Sequence, residues 1–185
     1  MTVYYTVARR AANTRAAKDE QRQRIFPFLL QKLGLDPHQP IKKDENGRPY
    51  LPQSTTSDIG ISHADLFTAY AAGDTRIGID MESPADIRNP EAICHRFFTE
   101  AEQKQVQSAS DVACAVCEIW TKKEALAKYI GNGLSKNLHQ DTTNPQKEVI
   151  FHSFSTTFAE KPYIITICVH PDTHITFLDP KCFKF

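Results

Sequence analysis

The sequence predicts an α+β fold, with antiparallel sheets and helices segregated along the chain. Short apolar, β-rich runs cluster at residues 59–81 and again at 149–178 instead of alternating one for one with helices. Two long segments, 14–33 and 111–130, carry helix start and stop residues. The composition is that of an ordinary globular chain: 185 residues, 41% hydrophobic and 24% charged, with seven glycines and eleven prolines. That excludes collagen-like, low-complexity and wholly disordered classes.

Taken in order, residues 3–7 read as a strand. The helix over 14–33 has Thr14 as N-cap and Gly34 as its stop, with Pro27 inside it expected to force a kink or restart. Residues 40–51 form a hairpin turned by Asn46-Gly47, and 52–57 (PQSTTS) form a loop. Three apolar runs follow at 59–61, 67–72 and 77–81; the first two are able to pair, and Gly73-Asp74 turns the chain between the last two. Asn89-Pro90 starts a helix, with the proline at its first position. Ser110 or Asp111 caps a longer helix that runs to Ile130 and stops at Gly131. Strands at 149–154, 163–169 and 175–178 complete the chain. A seam near residues 73–76 separates an N-terminal part, 1–75, from a C-terminal part, 76–185.

A chain of this length buries enough apolar surface to fold without disulfides or a structural metal. Five cysteines, odd in number and without framework spacing, point to a reducing cytoplasm. Cys114 and Cys117 fall mid-helix among apolar residues and read as small buried hydrophobes. No apolar run approaches the roughly 20 residues of a membrane span, and the opening residues reverse the order of a secretory signal. Zero net charge conceals an asymmetry. Residues 1–32 hold seven bases and two acids, whereas 58–118 hold eleven acids and four bases. A basic arm suits a phosphate-bearing partner and an acidic centre suits a metal or a cationic surface; solvated helix faces account for the same pattern.

Chemistry concentrates in four places. Asp80 and Glu82, at i and i+2 of a strand, point to one face, where two carboxylates are best tolerated beside a hard cation such as Mg²⁺; a strand end entering water explains the pair equally well. Trp120, Glu124 and Lys128 form one helical stripe, in which a carboxylate lies one turn from an ammonium, suited to a metal-bound phosphate. The competing reading, a surface Glu–Lys pair, is weakened by the chain's single tryptophan on the same stripe. Ser62-His63 ends an apolar run and suits phosphate binding or acid–base work, and Gly47-Arg48-Pro49 sets a guanidinium on a stiff turn. Glu102, in Thr99-Glu100-Ala101-Glu102, has capping-box spacing.

In this order the motifs resemble the 4′-phosphopantetheinyl transferase superfamily, nearest to the monomeric type named for the activator of surfactin synthetase. The resemblance runs from Gly47-Arg48-Pro49 through Ile61-Ser62-His63, Gly78-Ile79-Asp80-Met81-Glu82, Arg96-Phe97-Phe98 and the 120–128 segment to Gly131-Asn132-Gly133-Leu134-Ser135. It implies two similar α+β halves related by a pseudo-twofold axis, with coenzyme A in the cleft between them. It implies transfer of the phosphopantetheine arm to a serine of an acyl or peptidyl carrier protein, with release of adenosine 3′,5′-bisphosphate. By that resemblance Asp80, Glu82 and Glu124 are magnesium ligands. Arg48, Ser62, His63 and Lys128 contact coenzyme A, Lys128 also serves catalysis, and Glu102 is a general base. Tyr129, Ile130 and Leu134 beside Lys136 offer the carrier an apolar surface with cationic support. A cytoplasmic monomer without nucleic acid or membrane partners is the corresponding expectation. The sequence departs from the family at Ala64, where a second serine is common, and at Arg48, where lysine is usual. A non-catalytic coenzyme A or carrier-binding module is the alternative, against which the intact acidic trio argues. A magnesium phosphodiesterase acting on nucleic acid is disfavoured because the acidic middle repels a polyanion.

Overall fold

The computed structural model describes residues 1–145 and 148–182. In chain order the elements are β1 (Thr2–Arg9), α1 (Arg15–Lys32), β2 (Lys42–Lys43), β3 (Pro49–Tyr50), β4 (Asp58–Ala64), β5 (Phe67–Gly73), β6 (Gly78–Glu82), α2 (Pro90–Phe97), α3 (Glu100–Gln107), α4 (Val112–Ile130), β7 (Ile150–Phe158), β8 (Lys161–Val169) and β9 (His174–Phe177). They form two compact units, one of residues 1–77 together with the chain from Asp172 onward, the other of residues 78–171.

The first unit holds a four-stranded sheet in the order β4-β5-β1-β9. β5 is antiparallel to both β4 and β1, and β9 runs parallel to β1, with Thr2 opposite His174 and Tyr5 opposite Phe177. Helix α1 starts as its sequence dictates, the Thr14 hydroxyl accepting from the Ala17 N–H at 3.2 Å. Only its second half is apolar: Ile25, Phe26, Leu29 and Leu30 are buried against Ile59, Tyr70 and Ala72 of the sheet. Helix α1 continues through Pro27 without a restart. The carbonyl that loses its partner to this proline belongs to Gln23, which is exposed, so water can satisfy it. The β2–β3 hairpin carries Gly47 at φ +79°, as the Asn-Gly turn requires.

The second unit holds an antiparallel sheet in the order β6-β8-β7, with α4 lying across β6 and β8. Asp111 caps α4 by accepting from the Cys114 N–H at 2.9 Å, and Gly131, at φ +83°, ends it in the left-handed conformation. Asn89 caps α2 and the Thr99–Glu102 capping box starts α3. A polar row, buried at Thr121, Thr166 and Asp80 and exposed at Ser153, runs from α4 across the sheet. Thr121 meets Thr166 of β8 at 2.8 Å, Thr166 meets Ser153 of β7 at 3.0 Å, and Thr166 stands opposite Asp80 of β6.

Gly78 allows α4 to lie this close. A Cβ there would stand 1.8 Å from the Ala125 carbonyl oxygen and 2.7 Å from the Tyr129 nitrogen. The obstructing atoms are helix backbone and cannot rotate away.

Two organisational readings change. Gly73-Asp74 does not close a hairpin but hands the chain from one sheet to the other, with Asp74 tied back to Thr2 through backbone and side chain. Strand β9 belongs to the first unit, so that unit is built from both ends of the chain. Each unit pairs a main sheet with one long helix, and these sheets differ, four strands against three, the first unit holding the β2–β3 hairpin besides. Among the described residues no helix is long and apolar enough to cross a membrane.

Replacing Gly78 with alanine forces α4 off β6. Overpacking of this kind costs about 3 kcal/mol or more, a fall in melting temperature of roughly 6–12 °C for a chain of this size. Gly133→Ala is the control. Its Cβ would meet nothing within 4 Å, so only the strain of φ +93° is felt, and differential scanning calorimetry should show a loss of about 1 kcal/mol.

Candidate active site

The close packing of α4 on β6 brings four charged side chains together. Asp80, 1% exposed, receives a hydrogen bond from the Lys128 ammonium at 2.6 Å, and Glu124 lies 3.8 Å from the same nitrogen. Trp120, Glu124 and Lys128 are all half-buried, so the predicted stripe does face the protein. Phe97 stacks on Trp120 with ring centroids 5.4 Å apart and holds the indole in place. Ile79 and Met81, alternating with the acids, are fully buried on the other side of β6.

The excess of negative charge shows in the titration of these groups. Burial, then the charges of Asp80 and Glu124, push Glu82 up to about 7. Burial, then the charge of Asp80, push Glu124 up to about 7 as well. Burial opposes the charge on Lys128, but Asp80 and Glu124 outweigh it and hold its pKa above the ordinary value. Among the described residues no three His, Cys, Asp or Glu side chains are drawn together as a ready metal cage. The donor chemistry nevertheless suits a hard cation: three carboxylates in mutual repulsion, relieved in part by one ammonium.

The first unit carries a second charged region. Arg15, Lys18, Arg22, Lys43 and His63 line a cavity of about 530 Å³, in which Asp19 is the one acid. His63 is exposed and its ring orientation is set from behind. Arg10, 3% exposed, donates to the Phe67 carbonyl at 2.8 Å and lies 3.2 Å from His63 Nδ1; Thr68 Oγ1 lies 3.0 Å from the same nitrogen. A guanidinium cannot accept, so Nδ1 is the acceptor and the ring N–H is at Nε2. Ser62, beside it on β4, is buried. Arg48 is engaged elsewhere: it pairs with Asp58 and donates to the Ile77 carbonyl at 3.1 Å, facing a separate cavity of about 390 Å³ with Arg76. Asp58 also accepts from the Ile77 N–H at 2.9 Å, so this ion pair ties β4 to the end of its own unit.

Glu102 is fully buried and satisfies the capping box, accepting from the Thr99 N–H at 2.8 Å. Its remaining acceptor sites are taken by Lys123 at 2.8 Å and by the N–H and hydroxyl of Thr142 at 2.9 and 2.7 Å. Lys123, Thr142, Arg10 and Lys43 were not singled out by sequence reasoning as site-forming residues. Lys123 stands inside the 120–128 segment, but nothing in its spacing distinguishes a buried lysine from its exposed neighbours. Cys117 is buried, which pushes its thiol well up, in keeping with its reading as a packing residue, whereas Cys114 is only half-buried.

Residues 76–176 match the family model of the 4′-phosphopantetheinyl transferase superfamily. The chain belongs to this superfamily. It is 33% identical over 116 residues to the 4′-phosphopantetheinyl transferase gsp of Aneurinibacillus migulanus, covering 60% of this chain and 46% of that protein. It is 32% identical over 106 residues to a 4′-phosphopantetheinyl transferase of Bacillus pumilus, covering 55% and 44%. It is 28% identical over 141 residues to the 4′-phosphopantetheinyl transferase Sfp of Bacillus subtilis, covering 69% and 62%. The matched stretch thus spans about half the length of these relatives. Asp80, Glu82, Glu102, Glu124 and Lys128 all lie inside the superfamily match, whereas Arg48, Ser62 and His63 precede it.

The raised carboxyls make stability depend on pH. The folded state holds protons that the unfolded chain releases from about 4.5 upward, so the contribution of these two groups to stability is fully present below about 4.5 and is lost as pH rises through the window from 4.5 to about 7. Melting temperatures taken without divalent cations from about pH 5 to 8 should fall across that window, and Glu124→Gln should flatten the fall. A wild-type curve that is flat there contradicts the crowding of these acids.

Proposed function

We propose that this protein transfers the 4′-phosphopantetheine arm of coenzyme A to a serine of an acyl or peptidyl carrier protein. The observation that supports this most is the Asp80–Glu82–Glu124–Lys128 group, inside the superfamily match and built by α4 on β6. In the transfer, the serine oxygen attacks the phosphorus next to pantetheine. The bond from that phosphorus to the adenosine-bearing phosphate breaks, the serine proton is released, and adenosine 3′,5′-bisphosphate leaves. Such a reaction asks the protein chiefly for positioning and for charge around the phosphoryl oxygens.

Asp80, Glu82 and Glu124 would hold Mg²⁺, which when bound neutralises the diphosphate and draws charge toward the leaving group. Lys128, held by Asp80 and Glu124, presents an ammonium to a phosphate oxygen, and the same two acids keep it protonated. Arg15, Lys18, Arg22, Lys43 and the His63 Nε2–H suit a phosphate of the coenzyme, and Asp19 is the one acid that lines their cavity. Arg48 acts here by closing the Asp58 charge, so its contribution to coenzyme binding is indirect. The carrier reads the apolar and cationic surface after α4, where Ile130 and Lys136 are exposed and Leu134 is half-buried.

Incubation with coenzyme A, Mg²⁺ and apo carrier proteins, followed by intact mass measurement of the carriers, tests the activity. Wild type should add one phosphopantetheine per carrier, and Asp80→Ala should lower the rate at least about a hundredfold while melting as a folded protein. Coenzyme A binding without any mass gain would leave a non-catalytic binding module instead.

The docking surface has its own test. Leu134→Asp should raise KM for the carrier about tenfold or more and leave KM for coenzyme A unchanged. Lys136→Glu should weaken carrier use mainly at low salt. A parallel loss toward both substrates, tracking a lower melting temperature, would make Leu134 a packing residue.

A further inference from the structure

Glu102 and Lys123 form the one ion pair among the described residues in which both side chains are wholly buried, and their hydrogen bonds lead to the same piece of chain. The Lys123 ammonium has three protons and three acceptors: Glu102 at 2.8 Å and the carbonyls of Leu138 and Gln140 at 2.7 and 2.8 Å. Glu102 takes both the N–H and the hydroxyl of Thr142. Two charges from the body of the second unit therefore grip residues 138–142, while Gly131, capping α4, holds the other end of the same loop. Between these anchors lie Leu134 and Lys136. Asn137, 1% exposed, braces the interior of the loop by donating to the Gly133 carbonyl at 2.6 Å and accepting from Gln140 at 2.8 Å.

We propose that the Glu102–Lys123 pair is a latch that positions the 131–142 loop for the carrier protein, and that Glu102 is a positioning residue and not the proton acceptor of the transfer. This rests on the carrier-docking reading above. The physical grounds are accessibility and saturation. A base must reach a substrate hydroxyl, but Glu102 is fully buried, and its two oxygens already accept four hydrogen bonds. A loop of turns has no hydrogen-bond ladder of its own, so bonds to fixed buried charges are an effective way to give it one conformation. Removing one charge strands the other, so both single substitutions should loosen the same loop.

The test uses the full-length protein and pairs amide hydrogen exchange with kinetics. In Glu102→Gln and in Lys123→Met, protection of residues 134–142 should drop about tenfold or more while the middle of β8 keeps its protection. KM for the carrier should rise about tenfold, KM for coenzyme A should stay within about twofold, and the acid limb of the pH–rate profile should not move. The double variant should be no worse than the worse single, because one unit is lost only once. Thr142→Val keeps both charges and so remains folded if the single charge variants do not; it should loosen the loop about threefold. Unchanged loop protection in Thr142→Val and Lys123→Met overturns the latch. A large fall in kcat for Glu102→Gln, with loop protection intact and the acid limb lost, returns Glu102 to the role of base. If wild type modifies no carrier, the proposed activity fails, and the exchange measurements still decide whether the latch exists.

Discussion

The approach of α4 to β6 at Gly78 is the constraint on which the candidate site depends. A helix normally stands off a sheet by the thickness of its side chains, but here the helix backbone occupies the volume that a Cβ would fill. That closeness puts Asp80 within 2.6 Å of Lys128 and brings Glu82 and Glu124 into one electrostatic neighbourhood. Moved outward by a methyl group, the same residues would be a solvated strand end and a surface Glu–Lys pair, the two bland readings that spacing alone permits.

Buried charge is used in three ways. Asp80 and Lys128 face a region where acids outnumber bases, an arrangement that costs stability and creates demand for a cation. Arg10 and Arg48 are engaged by neighbouring groups and serve geometry: one fixes the tautomer of His63, the other closes Asp58 and the end of β4. Glu102 and Lys123 neutralise each other and spend their remaining hydrogen bonds on a loop. Ion pairs of this kind contribute little net stability compared with apolar residues of equal volume, so their value lies in specifying one arrangement.

Local rules were legible in the sequence. Thr14, Asn89, Thr99 and Asp111 cap the helices that their spacing announces, Gly131 ends α4, and the strands lie where the β-rich runs are. The stripe of Trp120, Glu124 and Lys128 was legible because helical periodicity is rigid. Non-local facts were not. No local signal says that β9 returns to lie parallel to β1, since register between chain ends is decided by packing. The partner of Arg48 lies ten residues on, across a loop without periodicity. Lys123 reads as a surface lysine until the capping box of α3 and the turn at Thr142 are brought around it. Glu102 shows the limit most sharply. Its spacing identified the cap, whereas its burial and four donors, which bear on any catalytic role, depend on residues 21 and 40 positions away.

The central claim, that β6 and α4 together build a divalent-cation site, is tested most directly by Mn²⁺ binding followed by electron paramagnetic resonance at a pH above 7, where Glu82 and Glu124 are ionised. The account predicts one bound ion per chain in wild type, sharply weakened by Glu124→Gln and by Asp80→Asn, and weakened by Gly78→Ala although that change removes no ligand. Binding that survives all three substitutions would contradict it.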